Sequence, residues 1–278
     1  MSGFEHYETM SDLEMPIKVF SAAFRNIAEK LFAITRKSEE TRQESQIRHA
    51  QDLLREEYRL LLNICNIEMA HKLVQVHVSK KEVNLTRLVD NIREIVEDTL
   101  NIHVGGEMPG EDLWVEAEES ILFYTLLGVV RNSIQFNCGD SIEIYLSLFK
   151  NSNWATVEIL DNGVGIPYKS LPYIYDPYFM DATRESDSKG LGLGMALLYR
   201  SMQHFGGRTN AKNRPDGGTQ VVIRMPVTFP PNGASSTGIS GTLGTTSRLN
   251  RWRDIAHIQL GEFMDNPPSM PPNKSMTG

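Results

Sequence analysis

This sequence predicts an α+β fold, a two-layer α/β sandwich, preceded by an antiparallel helical hairpin. Three observations carry the prediction. Two amphipathic helical stretches, joined by a polar segment, fill the first quarter of the chain. Beyond them, apolar residues alternate in short runs, as they do in half-buried strands. Between those runs stand apolar helical segments and glycine-rich turns, an order that covers one face of a mixed sheet with helices.

The elements follow in order. Residues 1–15 (MSGFEHYETMSDLEM) are polar and are expected to be disordered. After Pro16, the apolar residues Ile17, Phe20, Phe24, Ile27, Leu31 and Ile34 fall at alternating spacings of three and four, the seam of a coiled coil or bundle. The stretch TRKSEETRQESQ then loses its apolar residues, and a second stripe follows with Leu54, Tyr58, Leu61 and Cys65. Two such helices over residues 16–80 form a hairpin. Stripes this wide cannot be buried within one hairpin, so a homodimer through residues 16–80, a four-helix bundle, is expected. Asn84 is placed to cap a helix from Leu85 to about Asp98. A short strand is expected near Trp114, and a buried helix from Ser120 to Phe136. Strands are expected where Ile142, Ile144, Leu146 and Leu148 alternate, over Thr156 to Leu160, and where Val221, Ile223 and Met225 alternate. A further helix is expected over Gly194 to His204. The compact domain is therefore drawn at residues 82–229. Residues 230–278 are rich in Pro, Gly, Ser and Thr and are expected to be a disordered tail. Leu249 to Met264 is the one stretch there that could form a short amphipathic helix, and Arg251–Met264 is the alternative of a docking peptide.

Composition narrows the function. With 40% hydrophobic and 23% charged residues the chain reads as a soluble globular protein. A formal charge of −7 argues against sequence-independent nucleic-acid binding, which needs a basic face. No stretch reaches the roughly eighteen apolar residues of a membrane span, and the N-terminus has neither the basic nor the apolar region of a signal peptide. A cytoplasmic location is expected, with any outside signal delivered by another chain. Cys65 and Cys138 have no histidine cluster nearby and read as buried small hydrophobes rather than zinc or disulfide partners.

Five local features occur in a fixed order. Asn132 lies near the end of the apolar helix, in GVVRNSIQFN. Asp161-Asn162-Gly163-Val164-Gly165-Ile166 follows a strand, so a carboxylate leaves the sheet into a turn whose glycines admit close backbone approach. Asp176-Pro177-Tyr178-Phe179 is aromatic and turn-forming. Gly190-Leu191-Gly192-Leu193-Gly194 opens a helix, where free N–H groups make an anion site. Gly217-Gly218-Thr219 leads into the last strand. Taken singly, the glycine runs read equally well as ordinary turns.

The ordered set resembles the N, G1, F, G2 and G3 boxes of the family shared by histidine kinases, gyrase, Hsp90 and MutL. The spacing and the segment YDPYFM are similar to the sensor histidine kinase branch, over about Leu85 to Val227. The resemblance implies a Bergerat-type ATP-binding fold with ATP and magnesium as ligands. Carried over by motif, Asp161 accepts a hydrogen bond from the adenine amino group, with Gly163, Gly165 and Ile166 shaping that pocket. Asn132 holds the Mg²⁺ that bridges the phosphates. Lys189, Gly190, Leu191 and Gly192 face the phosphates, and Thr219 lies near the adenine. Residues 180 to 189 form a lid, with Arg184 as a second basic residue in it.

The sequence also departs from the family. The first helix should carry a His followed by an acidic residue and a proline, and no His occurs between Tyr7 and Arg48. His49 lacks that context, and His71, His77, His103 and His204 carry no motif. Gly128 stands where another polar residue usually precedes the metal-binding Asn by one turn, and Gln135 replaces the basic residue three positions after it. Autophosphorylation on a His of this chain and direct ATP hydrolysis are therefore not expected, and no catalytic residue is assigned. The resemblance then implies an ATP-binding signal-transduction regulator of the two-component type, with a partner kinase or a response regulator as its partner. The alternatives are a transferase that phosphorylates a partner in trans, and a dimeric scaffold or phosphotransfer adaptor.

Overall fold

The computed structural model describes residues 79–137, 141–180 and 191–230, with residues 62, 63, 66, 252, 253, 255–257, 259, 260 and 263. Leu62 and Asn63 belong to one compact unit, Met1–Cys65, and the other described residues to a second, Asn66–Gly278. Residues 1–15, all but a few residues of the hairpin expected over 16–80, His49, Cys65, Cys138 and most of the tail lie outside the described residues.

The second unit runs β1 (Lys81–Asn84), α1 (Leu85–Leu100), β2 (Val104–Gly105), β3 (Trp114–Ala117), α2 (Glu119–Gln135), β4 (Ile144–Asn151), β5 (Trp154–Asp161), a 3₁₀ turn (Leu171–Tyr173), α3 (Gly194–His204), β6 (Arg208–Asn213) and β7 (Thr219–Thr228). The strands form one mixed sheet in the order β1-β3-β7-β5-β4-β2. Long β7 pairs with β5 along one edge, and shares its other edge between β6 and the start of β3. Only β2 and β4 run parallel among the described strands.

Alternation of side chains fixes which face is covered. Across the central strands, Leu146 pairs with Ile159 and Ile159 with Val221, while Leu148 pairs with Val157 and Val157 with Ile223. All six are buried. The next rung of the same face pairs Ile144 with Asp161. The carboxylate thus stands at the end of an apolar ladder and on its covered side. The opposite face leaves Tyr145 and Phe149 exposed.

The helices start where local chemistry lets them. Asn84 Oδ1 accepts from Arg87 N–H at 3.0 Å, which caps α1 as its position in the sequence predicts. Helix α1 buries Leu85, Leu88, Val89, Ile92, Ile95 and Val96, a stripe at helical spacing. It runs two residues beyond the expected end and stops at Asn101, which adopts the left-handed conformation at φ 53°. Glu118 caps α2 through Ile121 N–H at 2.7 Å.

Helix α2 is buried almost all round, from Ile121 to Leu127 and again at Val129, Val130, Arg131, Ser133 and Ile134. Such a helix needs cover on more than one side. Part of that cover comes from the far end of the chain. Trp252, Ala256, Gln259, Leu260 and Phe263 are all buried, and the described residues from 252 to 260 are helical. Trp252 stacks on Phe123 of α2 with ring centroids 4.8 Å apart.

Candidate functional site

Asp161 is the hub of the site. The carboxylate is buried, at 6% exposure, and three donors hold it. Its Oδ1 accepts from the backbone N–H groups of Gly163 and Thr219, both at 2.9 Å. Its Oδ2 accepts from the Ser133 hydroxyl at 3.0 Å. A carboxylate offers about four acceptor directions, so one remains on Oδ2. Three separate parts of the chain therefore meet on one side chain: the turn after β5, the start of β7 and the end of α2.

The glycines around it are demanded by distance. A Cβ at Gly218 would lie 1.9 Å from the Asp161 carbonyl oxygen, and Gly218 has φ +84°. A Cβ at Gly163 would lie 2.5 Å from the Phe136 carbonyl oxygen, which itself accepts from Val164 N–H at 3.0 Å. The two loops and the end of α2 approach so closely that only bare backbone fits.

The loop from Gly163 to Ile166 is clamped from β6. Asn213 Oδ1 accepts from Ile166 N–H, and its Nδ2 donates to Ile166 C=O, both at 2.6 Å. Arg214 Nη1 donates to the Asp161 carbonyl at 2.8 Å and its guanidinium also pairs with Asp216. That guanidinium holds the Asp216 carboxyl below its ordinary range.

The other half of the site is formed by α2 and α3. Asn132 is half-buried, and its Nδ2 lies 3.9 Å from where a Cβ on Gly194 would be. The amide therefore faces the first residue of α3. Helix α3 begins with no side-chain cap and no acidic residue in its first turn. Its leading N–H groups and positive dipole end remain available to an anion. Gly192 has φ +65°, and a Cβ there would meet the Phe179 carbonyl at 2.5 Å. Tyr178 N–H donates to Gly192 C=O at 3.1 Å, tying the Asp176–Phe179 turn to the approach to α3. Tyr175 packs against Tyr199 of α3 at 5.3 Å, and burial pushes its phenol up, away from ionisation.

Of the residues predicted from sequence, Asp161, Gly163, Gly165, Ile166 and Thr219 cluster around the carboxylate, while Asn132, Leu191 and Gly192 gather at the start of α3. Arg184, Lys189 and Gly190 lie outside the described residues. Three supporting residues escape sequence reasoning: Ser133, Asn213 and Arg214. A polar residue beside Asn132 and an Asn-Arg pair before a Gly-Gly turn carry no signal of their own. Their partners are 28, 47 and 53 residues away along the chain.

Residues 117–228 match the family described as histidine kinase-, DNA gyrase B- and HSP90-like ATPases. The chain carries a histidine kinase-type ATPase domain of this family. Sensor protein kinase WalK of Staphylococcus haemolyticus is 24% identical over 203 residues, which cover 72% of this chain and 31% of that protein. Sensor protein KdpD of Clostridium acetobutylicum is 28% identical over 153 residues, 53% of this chain and 17% of that protein. The chain thus spans a third or less of these curated relatives. Among solved structures, full-length ShkA in complex with AMPPNP superimposes with a TM-score of 0.57 at 16% identity, covering 78% of this chain and 46% of that one. The ThkA histidine kinase in complex with response regulator TrrA gives 0.55 at 21% identity, covering 77% and 61%. At those identities the likeness is one of fold. The ATPase-family domain is mixed-sheet α/β throughout, as the sequence predicts.

Proposed function

We propose that this chain binds Mg-ATP in the ATPase-family domain and acts as a signal-transduction regulator that has no phosphoacceptor His of its own. The observation that carries the reading is the Asp161 carboxylate. It is buried and fixed by three donors, and keeps one acceptor direction on Oδ2 for an exocyclic amino group such as that of adenine. The close backbone packing at Gly163 and Gly218 keeps side chains away from the Asp161 backbone and Oδ1, which suits the approach of a flat ring.

The phosphate end suits magnesium with few protein ligands. Among the described residues there is no cluster of three or more His, Cys, Asp or Glu. A Mg²⁺ held largely by phosphate oxygens and water needs only one or two protein oxygens, and the Asn132 amide beside Gly194 supplies one. The free N-terminus of α3 would face the phosphates, with Leu191 and Gly192 in its approach and Lys189 and Gly190 just before them. When bound, the metal neutralises phosphate charge. The residues of this chain would orient the base at Asp161 and present the Asn132 amide to the metal.

The signalling half of the reading rests on sequence. The stripes of residues 16–80 support a homodimer, and a first helix without His supports a chain that is not its own phosphate acceptor. A partner kinase or response regulator is then the natural recipient. The nucleotide site as a whole also favours a second reading, phosphoryl transfer to a partner in trans, because transfer depends on positioning and charge more than on covalent chemistry.

Two measurements test these readings. Titration with Mg-ATP is expected to give saturable binding that Asp161→Asn abolishes or strongly weakens. Equal and negligible affinity in both proteins leaves only the scaffold or phosphotransfer adaptor reading. Incubation with γ-labelled ATP is expected to leave the chain unlabelled. Acid-labile label on the chain itself overturns the claim that it lacks an acceptor, and label on an added partner alone favours transfer in trans.

A further inference from the structure

The far C-terminal segment is anchored along the helix that carries Asn132. Residues 252, 256, 259, 260 and 263 recur at helical spacing and are buried. At the start of α2, Trp252 stacks on Phe123 at 4.8 Å with the rings 14° apart. Gln259 Nε2 donates to the Tyr124 carbonyl at 3.0 Å. Further along, Arg131 Nε donates to the Gln259 carbonyl at 3.0 Å, across 128 residues of sequence. The Arg131 guanidinium lies over the Phe263 ring, 5.6 Å from its centroid, and its Nη1 donates to Gln135 Oε1 at 2.8 Å. Arg131 adjoins Asn132 and is held by the Gln259 backbone carbonyl, and Gln135, one turn later, is held in turn by Arg131.

Gly128 makes room for this. It sits in the middle of α2, where a glycine is disfavoured relative to alanine. A Cβ there would point at Gln259 Oε1, 3.8 Å away. Any longer side chain would fill the space that the Gln259 amide occupies. That Oε1 is buried and has no hydrogen-bond partner among the described residues. An orphaned buried acceptor is costly, and is kept only where the rest of the side chain is held by stronger contacts or where the acceptor serves a ligand.

We infer that the segment carrying Trp252, Ala256, Gln259, Leu260 and Phe263 is a strap, with Gln259 as a positioning residue, that sets the Asn132 end of α2 for the metal-dependent part of nucleotide binding. The inference rests on the nucleotide reading of the site proposed above. Gln259 touches α2 and not the Asp161 carboxylate, two of whose three donors come from the backbone of other segments. The strap therefore acts on the metal end first and reaches the adenine end only through Ser133, one of the three donors to Asp161. Residues 231–250 join it covalently to the domain.

The test uses the full-length chain with Gln259→Ala, Trp252→Ala and the conservative Trp252→Phe. A fluorescent non-hydrolysable ATP analogue is titrated with Mg²⁺ and again in EDTA, and amide exchange is followed over Arg131 to Gln135. In Gln259→Ala and Trp252→Ala, the affinity gain given by Mg²⁺ is expected to fall by about fivefold or more. Affinity in EDTA should stay within about twofold, and exchange over 131–135 should rise about tenfold or more. Trp252→Phe keeps an aromatic stack and should restore most of the gain. An unchanged gain, or an equal loss with and without Mg²⁺, overturns the positioning role. If the parent chain binds the analogue in neither condition, the nucleotide reading fails. Amide exchange then decides the strap by itself, and unchanged protection over 131–135 in both alanine variants overturns it.

Discussion

Asp161→Asn separates folding from recognition at the site. In the parent, Oδ1 takes two backbone N–H donors and Oδ2 takes the Ser133 hydroxyl. Backbone N–H groups can only donate, so the substituted amide must turn its oxygen to Gly163 and Thr219. Its NH₂ then sits where Oδ2 was. The Ser133 hydroxyl can reverse and accept from it. The fold keeps every hydrogen bond and loses only charge assistance, about 1 kcal/mol, which lowers the melting temperature by about 2–4 °C in a domain of this size. Recognition fares worse. The remaining direction at that position now presents a donor to the donor of an adenine amino group. Losing a charged hydrogen bond costs about 1.5–3 kcal/mol, and facing two donors adds to it. About 3 kcal/mol is a factor of roughly 150 in affinity. Asp161→Ala is the contrast, because it strands the Gly163 and Thr219 N–H groups and costs about 1–3 kcal/mol for each. The measurements are titration with Mg-ATP and thermal melting of all three proteins. Binding by Asp161→Asn within about threefold of the parent would refute the assignment of the carboxylate to the base. A melting temperature as low as that of Asp161→Ala would refute the reversal at Ser133.

Three further expectations follow from the same geometry. Gly218→Ala would place a methyl group 1.9 Å from the Asp161 carbonyl at φ +84°. It should destabilise the domain by about 3 kcal/mol or more, read as a lower denaturant midpoint, and a stable variant would contradict the packing described. Asn213→Ala removes both bonds to Ile166, at a cost of about 1–3 kcal/mol. Amide exchange at Ile166 should accelerate and nucleotide affinity should drop, whereas unchanged exchange at Ile166 would rule out the clamp. Glu97 is held below its ordinary pKa of 4.5, first by the Val104 N–H that donates to it and then by His103. The unfolded chain binds that proton more tightly, so the stabilisation is complete above the ordinary value and is lost as pH falls through the lowered one. Because the side chain is 37% exposed, the effect is less than about 1 kcal/mol. Glu97→Gln should flatten the stability curve below about pH 4.5, and an acid limb parallel to the parent's would disprove the link.

How much of this was legible in the sequence follows from the range of each interaction. Helix α1, capped by Asn84, and helix α3, starting at Gly194, are set by local periodicity and end signals, and they stand where the residues place them. Strands β4, β5 and β7 carry the alternation that one covered face imposes. Strand β6 does not. RTNAKN has no apolar alternation and no buried residue, and it becomes a strand because the edge of β7 pairs with it. Strand β2 is two residues long and exists only through its parallel partner β4. Strand β1 pairs in full with β3, yet buries only Val83. In the site, the glycines were legible because backbone geometry leaves no alternative residue there. The polar supports at Ser133, Asn213 and Arg214 were not, since each acts on a partner that only the fold brings near.

The two halves of the site make different demands on the sequence, and the departures from the family pattern fall on one of them. At the carboxylate, most of what meets a ligand is backbone, shaped by glycines whose Cβ would collide, so the requirement is steric and changes at Gly128 and Gln135 leave it untouched. Near α3, charge and metal geometry must be supplied by side chains, and there Gly128 contributes none while Gln135 is neutral and engaged by Arg131. Binding draws on both halves. Phosphoryl transfer needs in addition an acceptor held in line with the phosphate, and the first predicted helix carries no His to provide one. On the proposed reading, such a chain would keep nucleotide-dependent conformation without transfer to itself, because the two functions would rest on different residues. Saturable Mg-ATP binding without self-labelling is the outcome that reading expects.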